Sequence, residues 1–110
     1  MAADENENQR IDDATLEKIW ATLPNQICHR HRILARNVKP TPDNPRPTDW
    51  NIEKLRKEDY SSYGEKYFRN HMIELANRHP EIQVEGDAVR LTPQGVEYCK
   101  ANIQGVLDDF

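Results

Sequence analysis

Two short alternating segments, Ile82-Gln83-Val84 and Val89-Arg90-Leu91, flank Glu85-Gly86-Asp87-Ala88 and constrain the fold more than any other part of the chain. Apolar and polar residues alternate with the two-residue period of a strand. A two-residue loop at Gly86-Asp87 sets Glu85 opposite Ala88, Val84 opposite Val89 and Ile82 opposite Leu91. All the branched aliphatics then share one face. A slip of one residue would turn one strand's apolar set to water, so turn and pattern specify the same register.

Helical segments frame this hairpin. At about 100° per residue, Phe68, Met72, Leu75 and Ala76 fall on one side of a helix, with Lys66, Asn70, Glu74 and Asn77 opposite. His79-Pro80 ends it, because proline disfavours helical geometry in the preceding residue and has no N–H to give. After the hairpin, Leu91-Thr92-Pro93-Gln94-Gly95 starts another helix, with a hydroxyl at the N-cap and proline at the first helical position. Val96, Cys99, Ile103, Val106 and Phe110 then recur every three or four residues. That stripe outruns what a small core covers, so Cys99, Ile103, Val106 and Phe110 are expected at a homodimer interface. Leu16, Ile19, Trp20 and Leu23 form a second stripe that could join the contact or pair with it inside one chain.

Taken in order, residues 1–11 read as a disordered acidic tail, Met1 to Arg10 offering no apolar anchor, and residues 12–110 as a single domain. Asp12 or Asp13 caps a helix expected to end before Pro24, and Asn25 caps a second one bearing the basic face of His29, Arg32 and Arg36. Pro40, Pro42, Pro45 and Pro47 make residues 39–49 a stiff connector. Thr48 or Asp49 caps a short helix from Trp50 to Tyr60, and Ser61-Ser62-Tyr63-Gly64 turns into the central helix.

Charge is distributed more informatively than the net −4 suggests. Residues 24–48 carry Arg30, Arg32, Arg36, Lys39 and Arg46 against Asp43 alone, whereas the first 23 and last thirty residues are acidic. No apolar run approaches the roughly 20 residues needed to cross a bilayer, and the N-terminus lacks the regions of a signal peptide. A cytoplasmic chain without membrane contact is expected. Cys28 and Cys99, far apart in sequence, are expected to be reduced, small buried hydrophobes.

Cys28-His29-Arg30-His31 with His71, His79 and Cys99 supplies zinc-ligand chemistry but not zinc-ligand spacing, since Cys28 and His29 diverge by about 100° on a helix. No metal and no cofactor are expected. Glycine-rich phosphate loops, GxSxG, HExxH and cysteine nucleophile motifs do not occur, and an enzyme is not expected.

The order of helix, glycine-containing turn, helix, hairpin and Leu91-Thr92-Pro93-Gln94-Gly95 junction resembles winged helix-turn-helix domains over roughly Asn25 to Lys100. The resemblance implies a mainly α fold with a two-stranded β-hairpin and additional N- and C-terminal helices. It also implies that the helix from Tyr63 to His79 enters the major groove of double-stranded DNA while the hairpin touches phosphates or the minor groove. Mapped on this chain, the DNA-binding residues are Tyr63, Lys66, Tyr67, Arg69, Asn70 and Arg90, joined by Arg32 and Arg36. Lysine and arginine neutralise phosphates, tyrosine hydroxyls bond phosphate oxygens, and asparagine pairs bidentately with adenine. The function implied is a small DNA-binding transcriptional regulator. Glu85 and Asp87 at the hairpin tip point instead to a winged helix that binds a protein partner without DNA.

Overall fold

The computed structural model describes residues 10–45 and 48–102. Its elements are α1 (Asp13–Asn37), β1 (Trp50–Asn51), α2 (Ile52–Asp59), α3 (Glu65–Arg78), β2 (Ile82–Glu85), β3 (Ala88–Leu91) and α4 (Pro93–Asn102). The chain is mainly helical, and its antiparallel sheet has the order β1-β3-β2. The expected acidic tail is only partly within the described residues, and there it ends earlier than expected. Ile11 packs against the core, and the Asp12 N–H donates to His71 Nε2 at 2.9 Å.

The first helix corrects the break expected at Pro24. Asp12 caps it as expected, accepting from the Ala14 N–H at 3.1 Å and the Thr15 hydroxyl at 2.9 Å. The helix then runs for 25 residues with Pro24 inside it. Proline in a helix interior costs about 3 kcal/mol. Leu16, Ile19, Leu23 and Ile27 are all buried on one stripe that continues across the proline, and each such burial contributes about 1.5–3 kcal/mol. Tertiary burial therefore outweighs the local penalty.

A second correction concerns the sheet, which among the described residues has three strands rather than two. Trp50 was expected to open a helix, but it pairs with Val89 while Asn51 pairs with Ala88. The helix cap moves to Asn51, whose Oδ1 accepts from the Lys54 N–H at 2.9 Å. Between β2 and β3 the register is the expected one: Ile82 with Leu91, Val84 with Val89 and Glu85 with Ala88. Gly86 takes a φ of +59° at the first loop position, a conformation glycine adopts without Cβ strain.

Beyond the hairpin, the Thr92 junction is more tightly built than a helix cap requires. The Thr92 hydroxyl accepts from the Gly95 N–H at 3.1 Å and donates to the Pro80 carbonyl, while the Thr92 N–H donates to the Glu81 carbonyl at 3.0 Å. Gly95 lies so close to this segment that a Cβ there would stand 2.0 Å from the Glu81 carbonyl oxygen. α4 is thus anchored by its first turn to the loop before β2.

The main core joins α1, α2, α3 and the sheet through residues such as Ile19, Leu23, Leu55, Phe68, Met72 and Val89, with Val84 and Leu91 partly buried at its edge. Cys28 and Cys99 form a separate buried cluster, with Leu91 packed beside it. They are joined in a disulfide, Cα to Cα 5.8 Å and 71 residues apart in sequence. This corrects two expectations: the thiols are not reduced, and Cys99 faces α1 of its own chain rather than a second copy. α4 folds back along the second half of α1, a proximity that sequence separation conceals. Ile103, Val106 and Phe110, the rest of the expected dimer stripe, lie outside the described residues.

Candidate nucleic-acid interface

α3 buries Phe68, His71, Met72 and Leu75 on one side. Its outer side carries the exposed Lys66, Arg69, Ile73 and Asn77 with the half-buried Asn70. These five fall within a single arc at about 100° per residue. The sequence-based set is centred differently, because it places Tyr63 and Tyr67 on this face. Both tyrosines lie at the edge of the core: the Tyr67 hydroxyl shares a hydrogen bond with that of Thr15 at 2.8 Å, and Tyr63 stacks with Tyr67 and Phe68. A helix boundary position reads equally well as either face, and the amphipathic tyrosine side chain suits both.

His71 shows how firmly α3 is seated. Its Nε2 accepts from the Asp12 N–H, which places the ring proton on Nδ1, where it donates to the Tyr67 carbonyl at 2.7 Å. The ring thus uses both nitrogens to tie α1 to α3. Glu74 turns away from the outer face toward Arg78 at 2.8 Å, and Arg78 also reaches Asp13 at 3.2 Å. That removes from the centre of the face the carboxylate that would most oppose a phosphate.

The hairpin tip leans on the same face. Arg69 donates to the Gly86 carbonyl at 3.2 Å and pairs with Asp87 at 3.0 Å. With Arg69 and Asp87 side chains 47% and 73% exposed, this pair is screened and contributes little stability. Arg69 can therefore exchange a carboxylate for another anion at small cost.

Arg90 is held differently. Its guanidinium grips Asp49 through two bonds of 2.9 Å and Glu85 through one of 2.8 Å, with its side chain only 13% exposed. Hydrogen bonds to Asp49, ahead of those to Glu85, push its pKa well above the ordinary arginine value despite the burial. Its role in the structure is to bind the β1 approach to the hairpin. Arg32 and Arg36 lie elsewhere: they are 17 and 21 positions along α1 from Thr15, the residue that touches Tyr67, or about 25–30 Å along the helix axis. The expected DNA-binding residues thus divide into Lys66, Arg69 and Asn70 on α3, Tyr63 and Tyr67 at its margin, Arg90 in the sheet, and Arg32 with Arg36 at the far end of α1.

Two features escaped the sequence reading. Ile73, 41% exposed, occupies the middle of the α3 face, and its helical angle relative to Phe68 would have placed it there. Trp50 is flanked by Arg30 and Lys54, whose cationic groups lie 5.2 and 4.8 Å from its ring centroid. No local pattern reports this, since Arg30 comes from α1, where it also binds Glu58 and Asp59 of α2. Among the described residues no cluster of three histidine, cysteine or acidic side chains could hold a metal ion. No described helix is long and apolar enough to cross a membrane.

Comparison with protein-family models, with curated proteins and with solved structures finds no match to this chain.

Proposed function

We propose that the chain is a winged helix-turn-helix DNA-binding protein, a small regulator that lays α3 in the major groove with the β2–β3 hairpin as its wing. The order α1-β1-α2-α3-β2-β3, with β1 added to the hairpin beside β3, supports this reading. The observation that carries it is the outer face of α3, where Lys66, Arg69 and Asn70 stand together while the opposite face is buried. Lys66 and Arg69 would meet phosphates, and Asn70 would be placed to read an adenine edge. Fluorescence anisotropy with a pool of duplexes at low salt tests it. Lys66→Glu should weaken binding uniformly across sequences and reduce the salt slope by about one, whereas Asn70→Ala should flatten sequence preference. Wild-type protein that retains no duplex, or binding indifferent to Lys66→Glu, rejects the reading.

Ile73 favours a second reading, in which the same face binds a protein. An aliphatic side chain at the centre of an interface is ordinary in protein recognition, and the nearby Arg69 is already paired with Asp87. A stoichiometric partner lost on Ile73→Asp, with no duplex retained, would select this alternative.

A further inference from the structure

α4 is held to the rest of the molecule at two places of unlike chemistry. At its start, Thr92 and Gly95 fix it to Pro80 and Glu81 through hydrogen bonds and close packing. Farther on, beyond Gly95, the only buried residue in the described part of α4 is Cys99, bonded to Cys28 of α1. That pair forms a cluster distinct from the main core. Opening it would expose two sulfurs and the flank of Leu91, and would leave the large aliphatic and aromatic side chains of the main core in place.

We infer that Cys28–Cys99 is a reversible thiol–disulfide exchange site, a latch that fixes the second half of α4 on α1 and is released by a dithiol reductant. In the exchange, a thiolate of the reductant attacks one cystine sulfur, forming a mixed disulfide and expelling the other sulfur as a thiolate. The reductant's second thiol then displaces the protein from the mixed disulfide. Cys28 and Cys99 end as thiols and the reductant as a disulfide, with two electrons and two protons passed to the protein. Both cysteines are 0% exposed, so attack follows the lifting of α4 and the exchange is coupled to that opening. Once the bond is gone, Val96 to Asn102 keeps only partly buried side chains beside the two thiols to reclose it, while the Thr92–Gly95 turn stays docked. The inference concerns α4 alone and stands whether or not α3 binds DNA.

The test is hydrogen exchange with mass spectrometry on the full chain, air-oxidised and then reduced with dithiothreitol in native buffer, with thiols counted by alkylation. Two alkylatable thiols should appear only after reduction. Amides of Val96 to Asn102 should then exchange roughly tenfold faster or more, while those of α3 and the hairpin keep their protection. Reoxidation should restore the first pattern, and Cys28→Ser with Cys99→Ser should show the reduced pattern without reductant. Should that double variant not fold, the wild-type reduction series decides alone. Free thiols in the oxidised protein, unchanged exchange in α4, loss of protection throughout the chain, or failure to reoxidise would each overturn the latch.

Discussion

The stretch from Glu65 to Lys100 and the stretch from Asp13 to Asn51 differ in where their structural information resides. In the first, each signal is local and each agrees with its neighbours: helix period, proline stop, strand alternation, two-residue loop, threonine cap. In the second, the decisive contacts are remote. Pro24 stays helical because four side chains on one stripe find the core, and Trp50-Asn51 becomes a strand because β3 lies beside it, 39 and 37 positions away in sequence. Local consistency specifies structure by itself, whereas local conflict is resolved by tertiary contacts.

The strongest way to break that comparison is to attack the legible stretch where it depends on distance. Gly95→Ala would put a Cβ 2.0 Å from the Glu81 carbonyl and 2.9 Å from Leu91 Cδ2. Backbone cannot yield as a flexible side chain does, so a loss of about 3 kcal/mol is expected in urea unfolding. Gly64→Ala, with open space around its Cβ and an ordinary φ of −67° at the N-cap of α3, should change stability by about 0.5 kcal/mol at most, because the chain entropy that alanine removes is offset by its poorer capping. Equal effects at the two glycines would show that the Thr92 junction is not tightly packed.

Next in size is the tie between the two stretches. Asp49→Ala removes both 2.9 Å bonds to Arg90 and leaves a largely buried guanidinium with Glu85 and Gln83. A loss of about 2 kcal/mol is expected, accompanied by faster amide exchange in β1. A loss confined to β1 would mean that the third strand is an accessory to the hairpin rather than part of its stability. Pro24→Ala acts in the opposite direction. Restoring the missing N–H and removing the ring clash should raise stability by about 1 kcal/mol or more, after the entropy that proline removes from the unfolded chain is allowed for. A decrease would show that the packing of Ile27 and Cys28 needs a bend at Pro24.

These contrasts explain how much could be read in advance. The hairpin register and the buried side of α3 followed from period and turn chemistry, and the cap at Thr92 from residue type. The strand at Trp50 and the Cys28–Cys99 bond did not, since each depends on a partner between 37 and 71 positions away, and the continuity of α1 did not because it rests on burial of its stripe in the core. At the candidate interface, Lys66, Arg69 and Asn70 were legible from the helical wheel. Tyr63 and Tyr67 were not, because a boundary tyrosine is placed by its partner, here Thr15 and the ring of Phe68. The pairing of Arg90 was hidden for the same reason, its neighbour Asp49 being 41 positions earlier.

The smallest expected effect lies at another meeting of the two stretches, the stack of Trp20 on His79, with centroids 3.7 Å apart and planes 8° from parallel. Burial lowers the His79 pKa below the ordinary value of 6.5, aided by Arg78 and opposed by Glu81. The folded state therefore binds fewer protons than the unfolded chain as pH falls below 6.5, so stability is complete above that value and declines on acidification toward the lowered pKa. His31, also lowered by burial, adds to the decline in the same window. Urea titrations at pH 7.5, 6.5 and 5.5 should show the loss, and His79→Gln should make the profile shallower without abolishing it. The stack itself works against this trend, because an imidazolium over the indole face would gain cation–π attraction and be drawn further toward Glu81. Stability that rises between pH 7.5 and 5.5, and stops rising in Trp20→Leu, would show that this attraction exceeds the cost of burial and that Trp20 favours the charged ring.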